Sequence, residues 1–197
     1  MGRTSTARDR ILSAASLLFH ERGYHPVGVA ELCSVASVNK GSFYYFFPSK
    51  HELLLEVLSQ SWDETGILES WEEQVPPSPT GELRRYFREL FACHYASWEA
   101  TGHVNGSLLG NLAAELSSTD NEAVTVVKAL IMRQQNAFKT VIEAGCNLKE
   151  LSTPDSTKAA TTLVACIHGL LMLTKIHNNL SILPTNESHL LRLAGKL

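Results

Sequence analysis

Apolar residues recur at intervals of three and four along the chain, and the two-residue alternation typical of strands is absent from the sequence. Such spacing places apolar side chains on one face of a helix. The first stripe, from Ile11 to Phe19, follows a Thr6-x-x-Asp9 capping box and ends before Gly23. The pattern therefore predicts an all-α fold that begins with an amphipathic helix near Thr6.

Two short helical segments follow this first helix, at about Val29–Val35 and Asn39–Phe46, with three residues between them. Pro48 ends the second segment because proline cannot continue a helix, and Ser49 is a candidate N-cap for a longer helix. Two short helices joined by a tight turn have the geometry of a helix-turn-helix, in which the second helix enters the major groove of DNA.

The remainder of the chain predicts a helical body. The segment Val75–Pro79 contains three prolines and is the clearest linker, because proline removes backbone donors and fixes φ. We predict five body helices: one spanning Leu83–Trp98, one spanning Leu108–Leu116, one capped by Thr119-x-x-Glu122 and closed by Gly145, one from Pro154 to Ile176, and one from Thr185 to the C-terminus.

Composition excludes several classes of protein. Of the 197 residues, 44% are hydrophobic and 19% charged, which is typical of a globular chain and not of a disordered or collagenous one. The longest nearly apolar run, Leu163–Leu173, is far shorter than the roughly 20 residues that a membrane span needs. The four cysteines stand singly, which argues against a zinc site or a disulfide scaffold and favours a cytoplasmic location.

Charge divides unevenly along the chain. Residues 1–50 carry six Lys/Arg and three acidic residues. The rest of the chain has more acidic than basic residues, so the formal net charge of the whole chain is −3. A basic N-terminal unit on an acidic body is compatible with a DNA-contacting head. No G-x-S-x-G, phosphate-binding glycine loop or H-E-x-x-H motif is present, so we expect neither an enzyme nor a metal or other cofactor.

The start of the second short helix carries the candidate DNA contacts. Asn39 can cap this helix, and the backbone N–H groups at its beginning favour a phosphate. Gly41 costs about 1 kcal/mol inside a helix, and a close approach to DNA would explain its presence. Phe43, Phe46 and Phe47 are expected to pack against the preceding helix. The candidate DNA-binding residues here are Asn39, Lys40, Gly41, Ser42, Tyr44 and Tyr45.

These residues resemble the DNA-binding domain of the TetR family of transcriptional repressors. The family pattern G-[ST]-[LF]-Y-x-[HY]-F followed by P-S-K matches Gly41–Lys50, and its A-G-V-S turn matches Ala36–Asn39. The resemblance covers about residues 6–58. The chain differs from the family at three positions: Gly28 stands where Ser or Thr is usual, Ser37 where the turn glycine is usual, and Phe46 where His or Tyr is common.

The resemblance implies a helix-turn-helix DNA-binding domain over residues 1–48 and an effector-binding and dimerisation domain over residues 49–197. It implies phosphate contacts from Lys50 and Tyr44, and contacts to bases or backbone from Lys40, Gly41, Ser42 and Tyr45. The expected protein is a homodimeric repressor that binds a palindromic operator in double-stranded DNA and is released by a small-molecule effector. An activator and a ligand-independent DNA-binding protein of the same fold are the alternatives.

A second stretch, Gly106–Leu116, is similar to G-C-L-x-G-N-L-x-x-E in TetR-like regulators that sense small reactive or unsaturated compounds. Ser107 occupies the cysteine position, which favours noncovalent release, and its hydroxyl could hydrogen-bond a carboxylate or carbonyl group of an effector. Ordinary packing is the competing explanation for each candidate. The candidate effector-binding residues are Trp62, His94, Tyr95, Trp98, Ser107, Asn111, Gln135, Phe138, His168 and Met172.

The predicted helix from Pro154 to Ile176 is apolar over much of its circumference. This helix and the last one could pair with the same helices of a second copy as a four-helix bundle, which is how TetR-like proteins dimerise. A helix buried in the core of one chain is the alternative, and opposite faces could serve both purposes.

Overall fold

The computed structural model of the chain describes residues 6–74 and 76–196, and within them it contains ten helices and no strand beyond an isolated bridge between Leu151 and Lys196. The all-α prediction is therefore confirmed. The helices are α1 (Ala7–Arg22), α2 (Val29–Val35), α3 (Lys40–Phe46), α4 (Lys50–Gln60), α5 (Ile67–Glu73), α6 (Pro79–Thr101), α7 (Leu108–Leu116), α8 (Asn121–Asn147), α9 (Ser156–His177) and α10 (Ile182–Leu193).

The first helix begins and ends where the sequence places it. The Thr6 side chain accepts a hydrogen bond from the Asp9 N–H, and the Asp9 carboxylate accepts one from the Thr6 N–H, so the capping box is complete. Gly23 ends the helix with φ of 85°, a conformation that side chains disfavour. Ser49 likewise caps α4 by accepting a hydrogen bond from the Glu52 N–H.

Several later boundaries differ from the expected ones, and α6 and α8 extend beyond Trp98 and Gly145, to Thr101 and Asn147. Asp120, and not Thr119, caps α8 by accepting a hydrogen bond from the Ala123 N–H at 2.9 Å. Asp155 caps α9 in the same way, so Pro154 lies just before that helix and not at its first position. The last helix begins at Ile182 and contains Pro184 in its first turn, where no intrahelical N–H is needed. Val75, the first residue of the expected linker, lies outside the described residues.

The chain forms two compact units. The first unit comprises residues 1–61 and 108–128, and the second comprises residues 62–107 and 129–197. The first unit thus contains α1 to α4, α7 and the beginning of α8. Its centre is formed by fully buried apolar side chains from five helices: Ile11, Phe19, Leu32, Phe43, Leu53, Leu54, Leu58 and Leu109. The functional division expected at residue 48 stays a prediction.

In the second unit, α10 packs against α6 and α9. The buried rings of Trp71, Tyr86 and Phe138 meet one another at centroid distances of 5.0–5.9 Å. Helix α9 is long and apolar enough to cross a membrane by length and composition alone, but the core helix of a soluble protein passes the same test. Its Leu163, Val164, Ile167 and Leu171 are buried within the protein.

Candidate functional site

The turn between α2 and α3 is held by backbone hydrogen bonds and by one arginine. The Val38 N–H donates to the Cys33 carbonyl at 2.9 Å, and Arg10 Nε donates to the Ala36 carbonyl at 3.0 Å. Ser37 adopts φ of 53°, the left-handed region in which glycine is favoured. Ser37 therefore holds a backbone conformation that glycine would adopt at lower cost.

Helix α3 presents its beginning to solvent. The Asn39 side chain caps the helix by accepting a hydrogen bond from the Ser42 N–H at 2.7 Å. Phe43 and Phe47 are buried and anchor the opposite side of the helix, whereas Phe46 is only half-buried. The exposed fraction is 53% for Tyr44 and 81% for Tyr45, which is unusual for large aromatic side chains. Asn39, Lys40 and Gly41 are exposed beside them, and Ser42 is half-buried.

Two glycines leave this surface open. A Cβ added to Gly41 would meet only the Asn39 Oδ1 atom, at 3.2 Å, a tight contact with the atom that caps α3. The outer side of Gly41 is exposed. Gly28 is the N-cap residue of α2 and makes no side-chain hydrogen bond there, and a Cβ would meet nothing within 4 Å. The serine or threonine that is usual at this position would fit.

The positive charges of this region are used in different ways. The guanidinium groups of Arg8 and Arg22 pair with Glu56 and Glu31, respectively. Lys40 is exposed and makes no ion pair with any residue in the described part of the chain. Lys40 is therefore available to a phosphate or to a base edge, whereas the two arginines hold helices of the first unit together.

Lys50 hydrogen-bonds the loop between α1 and α2. Its Nζ donates to the carbonyls of Tyr24 and Val27 at 3.0 and 2.9 Å and lies 4.0 Å from the centre of the Tyr24 ring. Burial lowers the pKa of Lys50, and the Glu115 carboxylate opposes that shift. An ammonium group has three N–H donors, so one remains for the phosphate contact that the family resemblance implies.

The second unit contains a small cavity of about 10 Å³, room for roughly one water molecule. Apolar side chains form about half of its wall, and polar groups converge from three helices and two loops. The lining residues are Glu64, Tyr86, Leu90, Ser107, Gln134, Phe138, Val164, Ile167, His168 and Leu171. Ser107, Phe138 and His168 are the candidate effector-binding residues that the fold brings together here.

His168 and Gln134 fix each other's orientation. Gln134 Nε2 donates to the Trp62 carbonyl at 2.6 Å, so Gln134 Oε1 faces His168 Nε2, at 2.9 Å. Because that oxygen can only accept, the His168 proton lies on Nε2 and Nδ1 is left as an acceptor. Burial lowers the pKa of His168 and keeps the ring neutral. His168 Nδ1 is buried without a hydrogen-bond partner among the described residues.

The wall around Glu64 is acidic. Burial raises the pKa of Tyr86, and the nearby carboxylates of Glu64 and Asp63 raise it further, so its hydroxyl stays protonated. His94 is buried, with Nε2 3.4 Å from a Glu64 carboxylate oxygen. No lysine or arginine lines the cavity.

The other candidate effector-binding residues lie elsewhere. Trp62 is buried beneath the Arg133 guanidinium, which lies 3.7 Å from the ring centre. Tyr95, Trp98 and Met172 are exposed, because their helices turn other faces inward. The remaining three candidates do not line the cavity: His94 contacts Glu64, Gln135 is half-buried beside the lining residue Gln134, and Asn111 lies on α7 in the first unit.

The cysteines and potential metal ligands add no second chemical centre. The Cys93 residue is exposed overall, but its Sγ lies 3.5 Å from the Glu64 carbonyl and is partly shielded from water. This shielding raises the pKa of the thiol, as do the carboxylates of Glu64, Glu89 and Asp63, and a raised pKa disfavours the reactive thiolate. Cys33 is buried in the first unit. Residues 6–74 and 76–196 contain no group of three His, Cys, Asp or Glu side chains that could hold a metal ion.

Helices α2 and α3 form a helix-turn-helix, and α3 exposes its capped start, two tyrosines and Lys40. This arrangement is typical of a DNA-binding protein. Comparison with known proteins agrees. Residues 11–57 match the family described as "Bacterial regulatory proteins, tetR family". Residues 11–57 are therefore a TetR-type DNA-binding domain, and the chain is a TetR-like DNA-binding transcriptional regulator whose relatives are regulators and not enzymes.

Relatives align over most of the chain. The transcriptional repressor DhaR of Mycobacterium sp. (strain GP1) is 28% identical over 184 residues, covering 91% of this chain and 87% of DhaR. A helix-turn-helix regulator from the lacX 3′ region of Lactococcus lactis is 28% identical over 185 residues, covering 91% of this chain and 88% of its own. The crystal structure of a TetR regulatory protein from Rhodobacter sphaeroides shares the fold, with a TM-score of 0.83, 22% identity and coverage of 96% and 99%.

Proposed function

We propose that this chain represses transcription by binding a palindromic operator as a homodimer. The observation that carries the proposal is the exposed start of α3, where Asn39, Lys40, Gly41, Tyr44 and Tyr45 face solvent while Phe43 and Phe47 anchor the helix. Phosphate contacts fix the position of such a helix, and contacts to base edges supply the sequence preference. Similarity to the repressor DhaR supports repression over activation.

The proposed dimer forms through one face of α9. Ala165, Met172, Leu173 and Ile176 are exposed on that face, and a Cβ added to Gly169 would meet nothing within 4 Å. Ile176 is 66% exposed, which is costly for an apolar side chain unless another surface covers it. A second copy would place small and apolar residues against each other across a two-fold axis. Leu183, Leu190 and Leu191 of α10 are buried within their own chain and Leu193 is exposed, so α10 contributes less than its sequence suggests.

We further propose that the effector enters the cavity around His168. A cavity of about 10 Å³ has room for roughly one water molecule, so binding of an effector must widen it. His168 Nδ1 and the nearby Glu64 carboxylate can accept hydrogen bonds, and much of the remaining wall is apolar. These features favour an apolar ligand that carries a hydrogen-bond donor. A hydroxyl compound fits this wall better than the carboxylate considered from Ser107 alone.

Release from DNA then follows from a shift in population. An effector that binds only the opened state favours that state, and the two α3 helices of the dimer no longer match successive major grooves, about 34–36 Å apart. Ser107 at the cysteine position and the raised pKa of Cys93 both support noncovalent binding over oxidation.

The proposal is tested by selecting binding sites from random duplex DNA with the full chain and by measuring the mass of the complex. We expect an inverted repeat bound by two copies. Placing that repeat over a reporter promoter should lower expression when the chain is present. A single half-site bound by one copy would contradict the dimer, and increased expression with the site placed upstream would favour an activator.

A further inference from the structure

The loop between α1 and α2 is held from both sides by opposite charges. Glu115 of α7 accepts hydrogen bonds from the backbone N–H groups of Tyr24 and His25, both at 2.8 Å. Lys50 of α4 donates to the carbonyls of Tyr24 and Val27. Tyr24 therefore connects the two charges directly, since its N–H points to the carboxylate and its carbonyl to the ammonium.

The fit of Glu115 against this loop is close. One carboxylate oxygen also lies 2.6 Å from His25 Nδ1. A Cβ added to Gly23 would come within 2.6 Å of the other carboxylate oxygen, and Gly23 has φ of 85°. The backbone conformation favours glycine at this position, and a side chain there would also displace the Glu115 carboxylate from the hydrogen bonds it accepts. Burial alone raises the pKa of Glu115, but the hydrogen bonds from His25 and Tyr24 outweigh it and lower the pKa, so the carboxylate stays charged.

The loop between α1 and α2, helix α4 and helix α7 all belong to the first unit. We propose that Glu115 is a positioning residue for DNA binding, which acts through the Tyr24–Val27 loop to hold the Lys50 ammonium where it meets a phosphate. The inference rests on the proposed phosphate contact of Lys50. Glu115 itself touches no DNA in this account.

Glu115 affects the position of the Lys50 ammonium through the loop that lies between the two charged groups. Without Glu115, the N–H groups of Tyr24 and His25 lose their charged acceptor, and the loop is no longer held on the α7 side. The Lys50 side chain has many rotamers, and its ammonium takes its position from the two carbonyls of this loop. Movement of the loop therefore moves the ammonium, and the phosphate contact weakens although Lys50 is still present.

The test is a double-mutant cycle on the full chain, with the inverted repeat obtained by selection as the DNA and fluorescence anisotropy across a sodium chloride series as the readout. The variants are Glu115→Ala, Lys50→Ala and the double variant. We expect each single variant to bind about tenfold more weakly and to lower the salt slope by about 0.9, the effect of losing one phosphate contact. The double variant should resemble either single variant, because both remove the same contact.

A matched control separates this effect from simple loss of charge. Glu21 is an exposed glutamate of α1 in the same unit, so Glu21→Ala removes the same charge and should leave the salt slope unchanged. Glu115→Gln tests the same step with less disturbance of packing. We expect faster exchange of the backbone amides of Tyr24 and His25 in Glu115→Gln. This measurement still tests the inference if Glu115→Ala fails to fold.

Three outcomes would overturn the inference: normal affinity and salt slope in Glu115→Ala, effects of Glu115 and Lys50 that multiply in the double variant, or unchanged amide exchange in Glu115→Gln. An unaffected salt slope in Lys50→Ala has a different meaning. It would remove the proposed phosphate contact of Lys50 itself, and with it the basis of the inference, while DNA binding through α3 could still be measured.

Discussion

The exposed surface of α3, where we propose that DNA binds, and the cavity around His168 are built in opposite ways. The α3 surface comes from one continuous stretch of seven helical residues and their cap, with large aromatic side chains facing water. The cavity is assembled from residues between positions 64 and 171, which only the tertiary fold brings together. The first is prepared to meet a partner from outside, and the second is almost closed.

This difference determines whether a substitution in each region affects binding alone or stability as well. Exposed Tyr44 and Tyr45 contribute little to the free energy of folding, so substitution there should affect partner binding alone. Cavity residues such as Phe138 serve both packing and the proposed ligand site. A change in the cavity therefore cannot be interpreted as a binding effect without a measurement of stability.

The largest expected effect sharpens this contrast directly. Phe138→Ala should lower the free energy of unfolding by about 3–5 kcal/mol, because the ring is buried against Trp71 and Tyr86. Tyr45→Ala should change it by less than about 0.5 kcal/mol and weaken DNA binding instead. Urea unfolding of both variants measures the first quantity. Equal stability changes in the two variants would break the comparison.

The next effect lies within the DNA-facing surface. Lys40→Ala should alter sequence preference, with discrimination at one base pair falling by about 1–3 kcal/mol if the side chain reaches a base edge. Lys50→Ala should weaken binding to all sequences alike. Site selection repeated with each variant distinguishes the two roles. Uniform weakening by Lys40→Ala would make Lys40 a phosphate contact as well.

The burial of His168 in the cavity should make the free energy of unfolding depend on pH. Because burial lowers the pKa of His168 below its ordinary 6.5, the unfolded chain binds a proton there more readily than the folded one. Stability is complete above pH 6.5 and falls as the pH drops below it, by up to about 1.4 kcal/mol per pH unit. His168→Gln should remove this part of the dependence between pH 8 and 5. An unchanged profile would show that His168 is not buried and neutral.

The smallest effect concerns the turn before α3. Ser37→Gly should raise the free energy of unfolding by about 0.5 kcal/mol, since relief of the left-handed strain exceeds the added entropy of the unfolded chain. Thermal unfolding compared with wild type measures it. The exposed Ser34, one turn earlier in α2, provides the control, because glycine inside a helix should destabilise.

The same contrast determines how far sequence could predict the molecule. Helix periodicity, the Thr6 cap and the recognition pattern are local, so the fold and the exposed face of α3 were accessible from the sequence. Glu115 was visible only as part of a family-like motif, and its contact with Tyr24 lies 91 positions away. Gln134 lines the cavity while its neighbour Gln135 does not, because one position rotates a side chain by about 100° around the helix.

The central claim is that duplex DNA is bound by the exposed start of α3. Hydrogen–deuterium exchange of the full chain, with and without its selected inverted repeat, tests it directly. We predict that DNA slows exchange at residues 39–45 and at the beginning of α2, while the cavity residues of α8 and α9 exchange unchanged. Protection on another surface, with residues 39–45 unaffected, would contradict the account.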